Sequence, residues 1–268
     1  MADRIKISRR KEYREQVRLY NNLSKNLNAK LKRLFAKTAR QAQSEYIQNK
    51  DMFYYFLEAF SDQLYKILES HYRNVITIVG EKAQTQRQKQ DDEIDEVSKI
   101  YIATVLATKV TQITETTRKQ IKDTISRAIA GKIVIDGIAQ TSIPQIASLI
   151  QKNKAFSNFR ATRIARTETH STMNLANFEV SKKLNLKKPV KQWNSALDER
   201  ARSWHREMND SKPVPIDEMF IVNTPVGKGY FEPRPMRFTG DYELGGAANV
   251  INCRCFTLYY DSEDEIIE

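Results

Sequence analysis

With 268 residues, 40% of them hydrophobic, the chain can build one large domain or two ordinary ones, each with its own core. No run of 18 apolar residues is available for a helical membrane span, and the charged opening "MADRIKISRRKEYREQ" lacks the apolar segment of a secretory signal. The net charge of +11 is unevenly spread: residues 1–40 hold 13 Lys+Arg against 3 Asp+Glu, a balance of +10, whereas residues 161–268 hold 15 against 16, or −1.

The first helix carries this charge. Tyr20, Leu23, Leu27, Leu31 and Leu34 step by three or four and form a narrow apolar seam on a Lys/Arg-rich surface. One-signed density of this kind points to a polyanionic or acidic partner (nucleic acid, an anionic membrane surface or an acidic protein ring), with plain solvation as the alternative. Arg9, Arg10, Lys11, Arg14, Arg18, Lys30, Lys32 and Arg33 are the candidate phosphate contacts. A second helix over about 51–79 bears a broad stripe of Phe53, Phe56, Leu57, Phe60, Leu64, Ile67 and Leu68, with His71 as a packing or boundary residue. "GEKAQTQRQKQDDE" follows as a solvated connection or helix extension. A third helix over about 94–130 uses Ile94, Val97, Tyr101, Val105, Ile113, Ile121 and Ile125 and is rich in β-branched residues, so it depends on packing for support. In "TSIPQIASLIQ", Ser142 is an N-cap and Pro144 sits in the first turn of a short helix, and a last long helix runs over about 157–185.

Turn formers then become frequent: five of the eight glycines lie at or after residue 226 and six of the seven prolines at or after residue 188. "KPVKQW", "EMFIVNTP" and "CFTLYY" predict strands, "ALDERARSWHREMN" a short helix, and "GKGYFEPRPMRFTGDYELGGAAN" an irregular excursion. The predicted class is α+β, with a long-helix, basic region over 1–135, a small α+β domain with short strands over 136–260, and an acidic, disordered tail over 261–268.

Three groups of residues could carry chemistry. In "RIARTETHSTMN", Arg163, Arg166, Thr167 and His170 share a helical face, with Glu168 on the next face within reach of Thr172; a buried polar network is the plainer explanation. In "WNSALDERARSWHREMN", Asp198, Arg202 and His205 fall at i, i+4 and i+7, so that Asp198 can pair with Arg202 beside His205. Trp193 and Trp204 bury area and fix their polar neighbours. Finally, "NVINCRC" holds the chain's two cysteines, Cys253 and Cys255, on one side of an extended segment with Asn252 and Arg254 on the other. At this spacing a mutual disulfide is disfavoured, and a reducing, intracellular setting is expected. Three readings stay open: small residues packed under a turn with Arg254 paired to a carboxylate, zinc ligands with His205 third and His170, Asp198 or Glu168 fourth, or a nucleophilic Cys served by His205 and Asp198.

In this order the motifs resemble the Mu F-like head-morphogenesis (minor head protein) family of tailed bacteriophages. The resemblance rests on Ala165, Arg166, Thr167 and Glu168; on Trp193, Asp198, Arg200, Arg202 and His205; on Phe220; and on Asn252, Cys253, Arg254 and Cys255, and it covers about residues 130–260. Ser203-Trp204 before His205 is a local departure. The resemblance implies a non-enzymatic minor virion protein inside the capsid near the portal vertex, present in host cytoplasm during assembly. Its partners would be the portal protein, other head or scaffold proteins and double-stranded DNA, and its work head assembly and DNA packaging or delivery. The motif groups would converge into one structural polar cluster, with zinc as a candidate cofactor. The alternative is a metal-dependent hydrolase or nuclease using His205, Cys253 and Cys255.

Overall fold

The computed structural model describes residues 6–50, 53–87, 92–183, 186–225, 227–231, 238–239 and 249–267. After a three-residue strand, β1 (Lys6–Ser8), the chain enters α1 (Arg9–Gln48). A 3-10 turn over Phe53–Tyr55 leads into α2 (Phe56–Arg87), so helix continues through Gly80 into the polar connection. Residues 88–91 of that connection, and the side chain of Ile94, lie outside the described residues. The predicted third helix is α3 (Asp92–Tyr101) and α4 (Ala107–Ile129) joined by a π-helical segment at Ile102–Leu106. Thr104 lies in that segment and turns its hydroxyl back on the Ile100 carbonyl at 2.8 Å, a local competition of the kind that loosens an α-helical ladder.

A hairpin absent from the prediction follows, β2 (Val134–Ile135) and β3 (Ile138–Ala139). Its two connecting residues, Asp136 (φ 50°) and Gly137 (φ 76°), are both left-handed, as a two-residue primed turn requires. Helix α5 (Ile143–Gln151) starts as predicted: the Ser142 amide donates to Gln145 Oε1 at 3.0 Å, and Pro144 needs no donor there. Helix α6 spans Asn158–Lys183.

The remaining chain forms β4 (Pro189–Asn194), α7 (Ser203–Glu207), β5 (Val214–Pro215), β6 (Phe220–Thr224), β7 (Gly227–Phe231), β8 (Phe238–Thr239), β9 (Phe256–Asp261) and β10 (Glu265–Ile267). Strand β4 is the centre of an antiparallel sheet in the order β5-β4-β9, and β6-β7-β8 is a meander. The excursion predicted as irregular over 227–249 therefore contains β7 and β8 and ends on the buried Asn249; residues 232–237 and 240–248 lie outside the described ones. The tail predicted as disordered is corrected as well. Glu265–Ile267 pairs in parallel with β1, and Lys6 meets Glu265 at 3.2 Å, because a basic first strand gives the acidic segment both a ladder and a countercharge.

The described residues divide into two compact units, and the division interleaves along the chain instead of cutting it once near 135. One unit comprises residues 25–71 and 99–165. Its core is aromatic and aliphatic: Leu27, Leu31, Leu34, Phe53, Phe56, Phe60, Leu64 and Leu68 are all buried, as their spacing predicts. Phe35 packs on Phe60 and Phe156 with ring centres 5.9 and 6.4 Å apart. The other unit comprises residues 1–24, 72–98 and 166–268 and contains both three-stranded sheets. Among the described residues no helix is long and apolar enough to cross a membrane.

Candidate functional site

The second unit brings the family-like motifs together around β4 and β9. Trp193 on β4 is fully buried against Phe220, Val222, Cys253 and Cys255. The segment before β9 reaches this core through Asn252, whose positive φ of 57° turns the chain; the Cys253 amide closes the turn on the Val250 carbonyl at 3.1 Å. His205 comes from α7, with its ring edge-on to Trp193 at 5.2 Å and to Trp204 at 6.2 Å. Its Nδ1 lies 3.6 Å from Cys253 Sγ and 3.6 Å from Cys255 Sγ. All three residues are 1–2% exposed, so the cluster is closed to bulk solvent.

The two thiols do not titrate alike. Burial pushes Cys255 up, but hydrogen bonds from Cys253, His205 and Ser195 outweigh it and hold this thiol below its ordinary range. Its hydrogen bond to Cys255 drives Cys253 upward, and burial adds to that. Ser195 Oγ stands 3.5 Å from Cys255 Sγ, and the Cys255 amide points at Cys253 Sγ at 3.5 Å.

Several predicted pairings are replaced. The segment holding Asp198 is a loop, the helix being confined to Ser203–Glu207. Asp198 therefore pairs not with Arg202 but with Arg254, through two bonds of 2.6 and 2.5 Å, and with Arg200 at 3.5 Å. The Arg254 hydrogen bond holds the Asp198 carboxyl far below the usual carboxylate range. Arg202 instead donates to the Ile251 carbonyl at 2.9 Å. With Asp198 on the rim and engaged by Arg254, the Cys–His–Asp relay considered from sequence does not form.

Nor do the proposed fourth metal ligands reach the thiols. His170 Nε2 lies 2.5 Å from the Cys255 main-chain carbonyl and 3.0 Å from Asn174 Nδ2, so the ring is turned to main chain and amide and away from the thiols. Burial lowers its pKa. Asn174, one turn on, donates to the His170 carbonyl at 3.1 Å and accepts from the Thr257 amide at 3.2 Å. Glu168 is buried and accepts from the Tyr72 hydroxyl at 2.6 Å, while its carbonyl accepts from Thr172. Thr167 Oγ1 accepts from the Asn252 amide at 3.4 Å, and Arg166 stays exposed. Arg163, assigned to the same face, lies in the other unit with its guanidinium over Phe159.

The N-terminal turns of α1 belong to this same site, which the sequence did not suggest. Arg9 is only 7% exposed; its guanidinium donates to the Trp193 carbonyl at 3.2 Å and the Asn209 carbonyl at 2.8 Å. It is thus withdrawn from the set of candidate phosphate contacts, because two main-chain acceptors already hold it. Tyr20 packs edge-on to His170 and to Phe256, and Tyr13 packs edge-on to Phe256, at 6.1 to 6.3 Å. Arg10, Lys11, Arg14 and Arg18 remain exposed, and Lys82 engages Glu12 and Glu15, the two acidic residues of α1 up to Ser24. In the other unit Lys30 and Arg33 are exposed and Lys32 is half-buried.

Lys191 was also missed. It is buried on β4, donates to the Glu218 carbonyl and lies 5.0 Å over the Phe220 ring; burial lowers its pKa to about 8. "KPVKQW" marks a strand but not its central place in the sheet, which only the pairing with β5 and β9 shows.

The model of the family described as Phage Mu protein F like protein matches residues 119–258. The NAD(+)–arginine ADP-ribosyltransferase EFV of Enterococcus faecalis (strain ATCC 700802 / V583) is 31% identical over 142 residues, which is 51% of this chain and 26% of that protein. The minor head protein GP7 of Bacillus phage SPP1 is 31% identical over 153 residues, 55% of this chain and 44% of that protein. The chain thus spans under half the length of either relative. No solved structure matches it.

Proposed function

This chain belongs to the Phage Mu protein F like family, and from that premise we propose that it is a minor head protein acting in phage head assembly, near the portal, during DNA packaging or delivery. The observation that carries this is the coincidence of the family match with the buried cluster: Glu168, Trp193, His205, Cys253 and Cys255 all lie within the matched residues and inside one packed unit. A hydrolase or nuclease using His205, Cys253 and Cys255 would have to admit substrate to them, and their burial favours a structural role instead. The ADP-ribosyltransferase name describes a protein of which this chain matches about a quarter.

Two surfaces support the partner classes. Arg10, Lys11, Arg14 and Arg18 form an exposed, one-signed face suited to sequence-independent contact with DNA, with Lys30 and Arg33 exposed further along. The β2–β3 hairpin exposes Val134 (57%), Ile135 (47%) and Ile138 (60%), an apolar tip suited to another head protein.

The test of the assembly role is a phage carrying His205→Ala or Cys253→Ala, scored for the chain in purified heads and for the yield of filled heads. Both substitutions are expected to lower incorporation together, and normal incorporation with normal thermal stability contradicts the role assigned to the cluster. For DNA, the salt dependence of duplex binding is measured for the full chain and for Arg10→Ser/Arg14→Ser/Arg18→Ser. The slope is expected to fall by about 0.9 for each phosphate contact removed. Equal slopes exclude this face as the DNA surface.

A further inference from the structure

We infer that His205, Cys253 and Cys255 bind one zinc ion, which ties the segment before β9 to α7. Tetrahedral zinc with Zn–S of about 2.3 Å and Zn–N of about 2.0–2.1 Å places a sulfur and a nitrogen ligand about 3.5 Å apart. Both observed Sγ–Nδ1 separations are 3.6 Å, and the three donor atoms all lie within 4.8 Å of one another. Apolar packing alone would bury the two sulfurs, but it has no reason to set both at one distance from the same ring nitrogen.

The surroundings also orient these groups as ligands. The left-handed Asn252 allows Cys253 and Cys255 to face one point, although they lie outside any strand. The Cys255 amide directed at Cys253 Sγ is a donor of the kind that stabilises a metal-bound thiolate. Two indole edges fix the His205 ring, and the Arg254–Asp198 clamp fixes the residue between the cysteines. Two soft thiolates and an imidazole suit zinc far better than magnesium or calcium. On binding, the two thiols surrender their protons and the imidazole coordinates through Nδ1. The Ser195 hydroxyl lies 3.5 Å from Cys255 Sγ, beside this donor set.

The experiment uses the full chain, purified without a metal-affinity tag, incubated with equimolar zinc and desalted. Elemental analysis is expected to return about one zinc per chain, and zinc-edge X-ray absorption two sulfurs at about 2.3 Å with nitrogen at about 2.0 Å. Stepwise modification of the thiols should release the zinc in proportion, a readout that needs no variant to fold. His205→Gln and Cys253→Ser, where they fold, should lose more than half of the bound metal. A folded wild-type chain that retains no zinc, zinc with no sulfur in its coordination shell, or full retention in both variants would each overturn the assignment.

Discussion

The two units are held by different physics. In residues 25–71 and 99–165, aliphatic and aromatic stripes recur at helical spacing, and almost every one of them is buried. Even the charged Arg160 is absorbed there: it covers Phe35 at 5.5 Å and donates to the carbonyls of Ile113 and Ala155 and to the Thr117 hydroxyl. The unit with the family motifs depends instead on polar bonds between residues far apart in sequence: Arg9 with Asn209, Tyr72 with Glu168, His170 with Cys255. Periodicity specifies the first kind of unit residue by residue, whereas the second needs particular partners, each losing its counterpart when one is changed.

This contrast can be broken or sharpened by substitution, with urea denaturation as the readout. The largest effect is expected for Trp193→Ala, about 3–5 kcal/mol from lost burial and an unfilled cavity beside His205. Leu31→Ala, in the apolar unit, should cost a comparable ~2–5 kcal/mol, so core loss alone does not distinguish the units. Arg9 does. Arg9→Ala removes charge-assisted bonds to two buried carbonyls and should cost about 1.5–3 kcal/mol, whereas the exposed Arg14→Ala should stay within about 0.5 kcal/mol. Equal effects at Arg9 and Arg14 would mean that Arg9 is a surface residue after all.

Asp198→Asn comes next, at below about 1 kcal/mol, since the pair with Arg254 lies on a half-exposed rim. The folded Asp198 carboxyl is held below its unfolded value of about 3.9. Its contribution is therefore fully present above about pH 5 and is lost as pH falls through about 4 toward the folded value. The stability gap between the parent and Asp198→Asn should be level at neutral pH and close in acid; a gap that widens in acid contradicts the pairing. The smallest effect is expected for Ile135→Ser at the exposed hairpin tip, within about 0.5 kcal/mol, although this same change should reduce incorporation into heads.

Much of the fold was legible because helices advertise themselves by spacing. The seam from Tyr20 to Leu34, the stripe from Phe53 to Leu68 and the Ser142 cap depend only on neighbours three or four residues away. The hairpin has its own local signal too, in the Asp136-Gly137 pair. The site was legible only as a set. Motif order brought His205, Cys253 and Cys255 together, but the partners within the set came out differently, because a helical register was assumed for Asp198 where the chain forms a loop. Arg9, Tyr13 and Tyr20 could not be assigned to the site at all: their partners lie about 150 to 240 residues away, and nothing in a run of arginines marks which one will be buried. Asn174 was similarly hidden, since most of its partners, the His170 and Cys255 carbonyls and the Thr257 amide, are main-chain groups that carry no sequence signal.

The most direct test of the central claim, that the distant motifs close over one buried cluster, is the rate at which Cys253 and Cys255 react with a thiol reagent in the folded full chain. Both should be protected together, reacting only through an opening whose free energy matches that of global unfolding, and Arg9→Ala should speed both. Reaction of either thiol at the rate of an unfolded peptide under native conditions would contradict the cluster.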